Sequence, residues 1–105
     1  MMYYVYVVNL DKKVLSSKRF KERNPDYIEG KPCVYVGQSV LDPKIRFKQH
    51  LEGYKSNRYA RKYGTFLRHK NTGVKNPYKT RSLAEKAEKE TALRLQKKGY
   101  GVWSG

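Results

Sequence analysis

Cysteine is almost absent from the 105-residue sequence. Cys33 has no partner within the chain, so no intramolecular disulfide can form. With only His50 and His69 beside it, the chain cannot supply the four Cys or His ligands of a structural zinc site. No segment reaches about 18 apolar residues, and the apolar run at residues 3–10 lacks the basic start and cleavage site of a signal peptide. We therefore expect an intracellular, cytoplasmic protein without a zinc finger and without a membrane partner.

Acidic residues are also scarce. Nine Asp and Glu stand against 24 Lys and Arg, which gives a net charge of +15. Such a surplus on a small body repels itself and predicts an anionic partner. The length corresponds to one domain, and the ten tyrosines argue against wholesale disorder. The composition therefore predicts a single basic, tyrosine-rich globular domain.

Two short segments rich in valine and tyrosine predict strands. In Tyr3–Leu10 and Pro32–Gly37 the two residue types alternate, so each strand has a tyrosine face and a valine face. Residues 65–68 and 100–103 are shorter candidates. We predict an α/β protein of the α+β type, one domain over residues 1–105, with a small central antiparallel β-sheet of about three strands flanked by helices. Residues 11–31 are highly charged and are expected to form an extended surface insertion with few apolar anchors.

Helix-starting and helix-ending residues predict the helices. An N-cap and a first-turn proline at residues 42–43 begin one helix, and Gly53 ends it. Ser82 and Glu85 match a capping box and begin the longest helix, near the end of the chain. A further short helix is expected over residues 56–63. The helices would flank the predicted sheet.

One acidic residue lies on the apolar face of the last predicted helix. At 100° per residue, Glu88 falls between Ala84 and Ala92, whereas the other acids of this helix lie at the margin or outside. A carboxylate in that position needs a partner. An ion pair with a basic residue is one interpretation. The other is a single Mg²⁺ or Mn²⁺ ion, since Mg²⁺ needs only one or two protein carboxylates when phosphates and waters complete its shell.

The middle of the chain concentrates the positive charge. Basic residues alternate there with tyrosines, a pattern suited to phosphate contacts and to stacking on sugars or bases. A solvated charged face over a tyrosine core is the alternative, and the net charge favours nucleic acid, most readily DNA. The residues expected to bind it are Lys44, Lys48, Arg58, Arg61 and Lys62.

The order of several short motifs resembles the GIY-YIG nuclease family, in particular its small stand-alone members. The motifs are Tyr4-Val5-Tyr6 on the first strand, Tyr35-Val36-Gly37 on the second, Arg46 with His50 one turn later in the following helix, and the inward Glu88. The resemblance covers nearly the whole chain. It implies a small antiparallel sheet flanked by helices and a metal-dependent endonuclease that hydrolyses phosphodiester bonds of DNA.

The resemblance also implies roles for individual residues. Tyr6 and Tyr35 would be the motif tyrosines, Arg46 the phosphate-binding arginine and Glu88 the ligand of one Mg²⁺ or Mn²⁺ ion. A divalent ion and Arg46 should lower the pKa of a tyrosine, so Tyr6 would act as the base and Tyr35 as a positioning group, or the reverse. His50 would orient a tyrosine or touch phosphate, or simply form a local hydrogen bond.

Three features depart from the family. Tyr4 stands where the first motif has its first glycine, the span from Val7 to Val34 is longer than usual, and no asparagine follows the glutamate helix. Two further functions are therefore considered: a non-catalytic basic nucleic-acid-binding module with the same fold, and a structural protein of an RNA–protein assembly. Neither would require an acid on a buried helix face.

Overall fold

The computed structural model describes residues 1–105 and contains four strands, four α-helices and one 3₁₀ helix. In chain order these are β1 (Tyr4–Leu10), the 3₁₀ helix (Lys12–Ser16), α1 (Lys18–Arg23), β2 (Cys33–Ser39), α2 (Pro43–Glu52), α3 (Arg58–Tyr63), β3 (Gly64–Arg68), α4 (Arg81–Lys97) and β4 (Gly101–Ser104). The predicted α+β class is confirmed. None of these helices combines the length and the apolar character that crossing a membrane requires.

The four strands form one mixed sheet in the order β3-β1-β2-β4. β1 pairs antiparallel with both β2 and β3, whereas β4 runs parallel to β2. The expectation of a wholly antiparallel sheet is therefore wrong at one edge. The reason lies in the connection, because the chain between β2 and β4 passes through α4, which packs across the sheet before β4 begins.

The two sheet faces carry different side chains, as the alternation predicts. Valines of β1 and β2 pack against Ala84 and Leu95 of α4. On the opposite face, Tyr6 and Tyr35 pack with residues of the first half of the chain and of α3. The tyrosine face is thus the one that receives α2 and α3, and it is where the candidate site forms.

Residues 11–31 are mostly exposed, as expected of a surface insertion with few apolar anchors, and two of those anchors reach the core. Val14 of the 3₁₀ helix and Phe20 of α1 are fully buried in the tyrosine-face cluster. The buried Asn24 side chain donates to the Phe20 and Val102 carbonyls and accepts from the Val102 N–H. Each of the two short helices buries one apolar side chain. The low apolar content of the segment gives no sign of these two contacts.

The helix ends agree with the sequence at α2 and differ at α4. Asp42 accepts a hydrogen bond from the Lys44 N–H, and Gly53 ends α2 with a φ of +85°. At α4 the N-cap is Thr80, whose hydroxyl accepts from the Leu83 N–H. The expected capping box starting at Ser82 is wrong, because Thr80 caps the helix two residues earlier.

Candidate active site

The centre of the tyrosine face is a pair of tyrosines on adjacent strands. Tyr6 of β1 lies opposite Gly37 of β2 in the strand register, and the ring centroids of Tyr6 and Tyr35 are 6.2 Å apart. A Cβ atom at Gly37 would lie 2.5 Å from the Tyr6 hydroxyl oxygen. Gly37 therefore lets the Tyr6 ring cross β2, and any larger residue would displace its hydroxyl.

His50 of α2 joins this pair from the neighbouring layer. Its side chain is buried, and its Nε2 lies 2.7 Å from the Tyr6 hydroxyl. Its Nδ1 accepts a hydrogen bond of 3.2 Å from the backbone N–H of Asn57. Because Nδ1 serves as an acceptor, the proton of the neutral ring lies on Nε2, and His50 donates to Tyr6. Of the roles expected for His50, orienting a tyrosine is the one that these contacts match.

The charge state of His50 follows from its surroundings. Burial, assisted by the positive charge of Arg46, lowers its pKa from the ordinary 6.5 to about 4. The ring is therefore neutral at pH 7. A neutral His50 with a proton on Nε2 acts as a hydrogen-bond donor to the tyrosine oxygen and cannot take the tyrosine proton at that atom.

The lowered pKa of His50 predicts a pH dependence of stability. In the unfolded chain His50 becomes protonated below about pH 6.5, whereas in the folded chain it stays neutral down to about pH 4. The free energy of unfolding should therefore rise by roughly 3 kcal/mol from pH 4 to pH 6.5 on account of this residue. Denaturant unfolding of wild type and His50→Gln across this range should show the difference.

The second histidine provides the control. His69 is exposed, so His69→Gln should retain the wild-type pH slope. A His50→Gln variant whose stability changes with pH as steeply as that of wild type would contradict a neutral, buried His50.

The two tyrosines are held in their protonated form by burial. Burial and the neighbouring Tyr35 raise the pKa of Tyr6, and Arg46 only partly opposes them. Burial, followed by the negative charge of Glu88, raises the pKa of Tyr35. Both pKa values are raised, whereas a tyrosine that acts as a base was expected to have a lowered pKa. Arg46 alone therefore does not activate either hydroxyl. Further positive charge is needed to make a phenolate at this position.

Arg46 is fixed beside the tyrosines by the loop between α2 and α3. Its guanidinium donates to the Gln49 side chain at 3.0 Å, to the Tyr54 carbonyl at 3.1 Å and to the Lys55 carbonyl at 2.6 Å. Arginine carries five N–H donors, so these bonds leave capacity for another acceptor. Arg46, Tyr35 and His50 line one cavity of about 540 Å³. The geometry therefore suits a fixed guanidinium that receives an anion.

Glu88 lies on α4, the helix that packs on the valine face, and it does not line the cavity with Tyr35, Arg46 and His50. Its side chain is half-buried and has no ion-pair partner. Its carboxylate makes no hydrogen bond, and the one side-chain ion pair of the chain joins Lys86 to Glu90 at 3.9 Å. Burial and the neighbouring Glu85 raise the pKa of Glu88. Glu88 therefore forms no ion pair of the kind that the first interpretation requires. Its negative charge nevertheless raises the pKa of Tyr35.

The donor set limits what metal the chain can hold. No group of three or more His, Cys, Asp or Glu side chains lies together. An unpaired carboxylate at Glu88 fits a hard divalent ion that takes its other ligands from water and phosphate. His50 would not be a ligand, because both its ring nitrogens are already hydrogen-bonded.

The five residues expected to bind nucleic acid divide into two groups. Arg58, Arg61 and Lys62 of α3 are exposed and line a groove of about 910 Å³. Lys44 and Lys48 lie on the exposed side of α2 and line neither this groove nor the cavity at Tyr35. All five are accessible to a polyanion, and those on α3 are adjacent to the tyrosine cluster.

Sequence reasoning missed the backbone of Asn57. Its N–H sets the tautomer of His50, while its side chain caps α3 by accepting from the Tyr59 and Ala60 N–H groups. An asparagine before a short helix is a recognisable N-cap signal. The direction of its backbone N–H, however, depends on how α2 and α3 pack.

Comparison with known proteins yields no relative. Neither a protein-family model, nor a curated protein, nor a solved structure matches this chain. The functional proposal therefore depends on the site itself and on the motif resemblance.

Proposed function

We propose that the protein is a metal-dependent endonuclease that hydrolyses phosphodiester bonds of DNA at a site of the GIY-YIG type. The observation that carries the proposal is the buried contact of 2.7 Å between Tyr6 Oη and His50 Nε2. It joins two of the residues that the motif resemblance singles out, and Arg46 lies in the same cluster. A purely structural core would gain more from apolar residues at these positions.

The residues divide the work of hydrolysis. In-line attack on a phosphodiester needs a base for water, positive charge on the phosphoryl oxygens and help for the leaving oxygen. Arg46 would grip the phosphate. Tyr6 would accept the proton of the attacking water as a phenolate, after its own hydroxyl proton has been lost to solvent. His50 Nε2–H, which donates to the Tyr6 oxygen, and a bound divalent ion would both favour that phenolate against the burial that raises the pKa of Tyr6. Tyr35 would orient the phosphate or the water beside it.

Glu88 would hold one Mg²⁺ or Mn²⁺ ion. Such an ion supplies positive charge that polarises the phosphate and favours ionised oxygen groups nearby. Burial raises the pKa of Tyr6 and Arg46 only partly opposes it, so the proposed role of Tyr6 as a base requires the positive charge that such an ion would add. Such an ion also agrees with a carboxylate that has no other partner.

A binding module with the same fold is the second candidate. It is favoured by the lack of any cluster of three metal-binding side chains. Such a module would use the basic residues for phosphate contact and would leave Tyr6 and His50 as a buried hydrogen-bonded pair. It would bind DNA and leave it intact.

Incubation with supercoiled plasmid separates the two candidates. We expect wild type to convert the plasmid to nicked or linear form with Mg²⁺ or Mn²⁺, and a chelator should stop the reaction. Binding should weaken steeply with salt, because its contacts go mainly to phosphates. A plasmid that stays supercoiled with either metal, under conditions in which it is bound, would contradict the nuclease and leave the binding module.

A further inference from the structure

We propose that residues 16–19 form the second wall of a groove that holds a single sugar–phosphate backbone of the bound DNA, with Lys18 and Arg19 contacting its phosphates opposite α3. The inference rests on the proposed function and extends it to a binding surface outside the tyrosine cluster. It also gives a role to residues 11–31, the segment that lengthens the span between the motifs at residues 4–6 and 35–37.

The groove has two walls that meet at its base. One wall is the turn from the 3₁₀ helix into α1, with Lys18 and Arg19, and the other is α3, with Arg58, Arg61 and Lys62. At the base, the Ser17 hydroxyl lies 3.0 Å from the hydroxyl of the buried Tyr59. The two walls are therefore joined at the base and form one continuous groove lined by cationic side chains on both sides.

The charge of the groove identifies the class of ligand. Five Lys or Arg residues line it and no acidic residue does. None of these five makes an ion pair or a side-chain hydrogen bond within the chain, since the one ion pair lies on α4. Arg58 and Lys62 lie over the rings of Tyr59 and Tyr63, but no acidic partner neutralises any of the five. Positive charges on two facing walls without acidic partners raise the local potential and attract a polyanion. Phosphates spaced along a backbone fit that arrangement.

The groove continues into the cavity at the tyrosine cluster. The cavity with Tyr35, Arg46 and His50 shares Ser56, Arg58 and Tyr59 with the groove. A DNA strand with one phosphate bound at Arg46 could therefore pass Arg58 and continue directly into the groove, because the cavity and the groove adjoin. The contacts of Lys18 and Arg19 accordingly lie to one side of the phosphate held at Arg46.

Charge reversal of the second wall tests the inference. The double variant Lys18→Glu/Arg19→Glu is compared with Lys75→Glu/Lys79→Glu, which changes the net charge equally at exposed positions before α4. Affinity for a short random-sequence DNA duplex is measured at several salt concentrations, with thermal unfolding to verify the fold. We expect the wall variant to lose at least about tenfold in affinity and to lower the salt slope by about 1.8, since each lost phosphate contact removes about 0.9. The control should lose less affinity and keep its slope.

A second readout locates the contacts on the DNA. Phosphates are replaced one at a time by neutral methylphosphonates. With wild type, a contiguous run on one side of the cleaved bond should weaken binding, and with the wall variant that run should shorten. Equal losses in wall variant and control, or an unshortened run, would overturn the inference.

The inference and the proposed function fail in different ways. If wild type cleaves DNA and the wall variant binds as tightly as wild type while Arg58→Glu/Lys62→Glu binds weakly, the second wall is overturned and the nuclease stands. If wild type binds DNA and the wall variant loses affinity as expected but nothing cleaves, the groove stands and the nuclease is overturned.

Discussion

Glu88→Ala is expected to abolish DNA cleavage while leaving DNA binding intact or stronger. The carboxylate would hold the divalent ion, whose charge contributes several kcal/mol to stabilising the transition state. Since each 1.36 kcal/mol is tenfold in rate, the loss should reach at least about 100-fold. Binding should not suffer, because a half-buried negative charge repels phosphates. Thermal unfolding should occur at the same or a higher temperature, because the carboxylate has no ion pair to lose and burial disfavours its charge.

Glu85→Ala is the matched control for this variant. Glu85 lies on the same helix, three residues earlier, is exposed and makes no ion pair. Its removal changes the net charge equally and should leave cleavage near the wild-type rate. A Glu88→Ala variant that loses stability and DNA binding together would contradict this account, because a structural partner of a buried cation costs about 3–5 kcal/mol when removed.

Tyr6→Phe is expected to lower the rate of cleavage by roughly 10²- to 10⁴-fold, the range for loss of a general acid or base. The substitution removes only the hydroxyl oxygen that lies 2.7 Å from His50 Nε2. The ring stays in place above Gly37, so the fold and DNA affinity should persist. Stability should fall by about 1–3 kcal/mol, because the buried Nε2–H of His50 loses its acceptor. Single-turnover cleavage and denaturant unfolding measure the two effects.

Tyr54→Phe controls for the loss of a tyrosine hydroxyl near the site. Tyr54 is 56% exposed, and its hydroxyl makes no hydrogen bond within the chain, while its carbonyl accepts from Arg46. This variant should cleave at the wild-type rate. Equal activity of Tyr6→Phe and wild type would exclude Tyr6 as the base.

The sheet could be predicted from the sequence because its signal is local. Valine and tyrosine alternate in β1 and β2, and the period of two assigns one residue type to each face. The capping residues of α2 were equally informative, since Asp42 and Gly53 act on neighbouring backbone groups. Such features depend on residues within a few positions of one another.

Features that depend on distant contacts could not be predicted. The parallel pairing of β4 follows from the path through α4. The burial of Phe20 depends on Tyr59 and Trp103, whose ring centroids lie 5.7 Å and 6.4 Å from its own. A charged segment with one such side chain looks like a solvated loop in composition.

The candidate site could be predicted from the sequence only in part. Motif order identified Tyr6, Tyr35, Arg46 and His50, and the fold brings these four side chains into one cluster. Glu88 was identified by its angular position on a helix. Two features depend on the three-dimensional packing: the donor at Asn57 that sets the His50 tautomer, and the lack of an ion pair at Glu88.

The most direct test of the account is cleavage of DNA that is already bound. A labelled duplex is saturated with wild-type protein in a chelator, binding is verified, and excess Mg²⁺ or Mn²⁺ is then added. The account predicts that the bound duplex is cut after metal addition and that the Glu88→Ala complex, bound at least as tightly, stays intact. A wild-type complex that remains bound and uncut with both metals would contradict the claim that this site hydrolyses DNA.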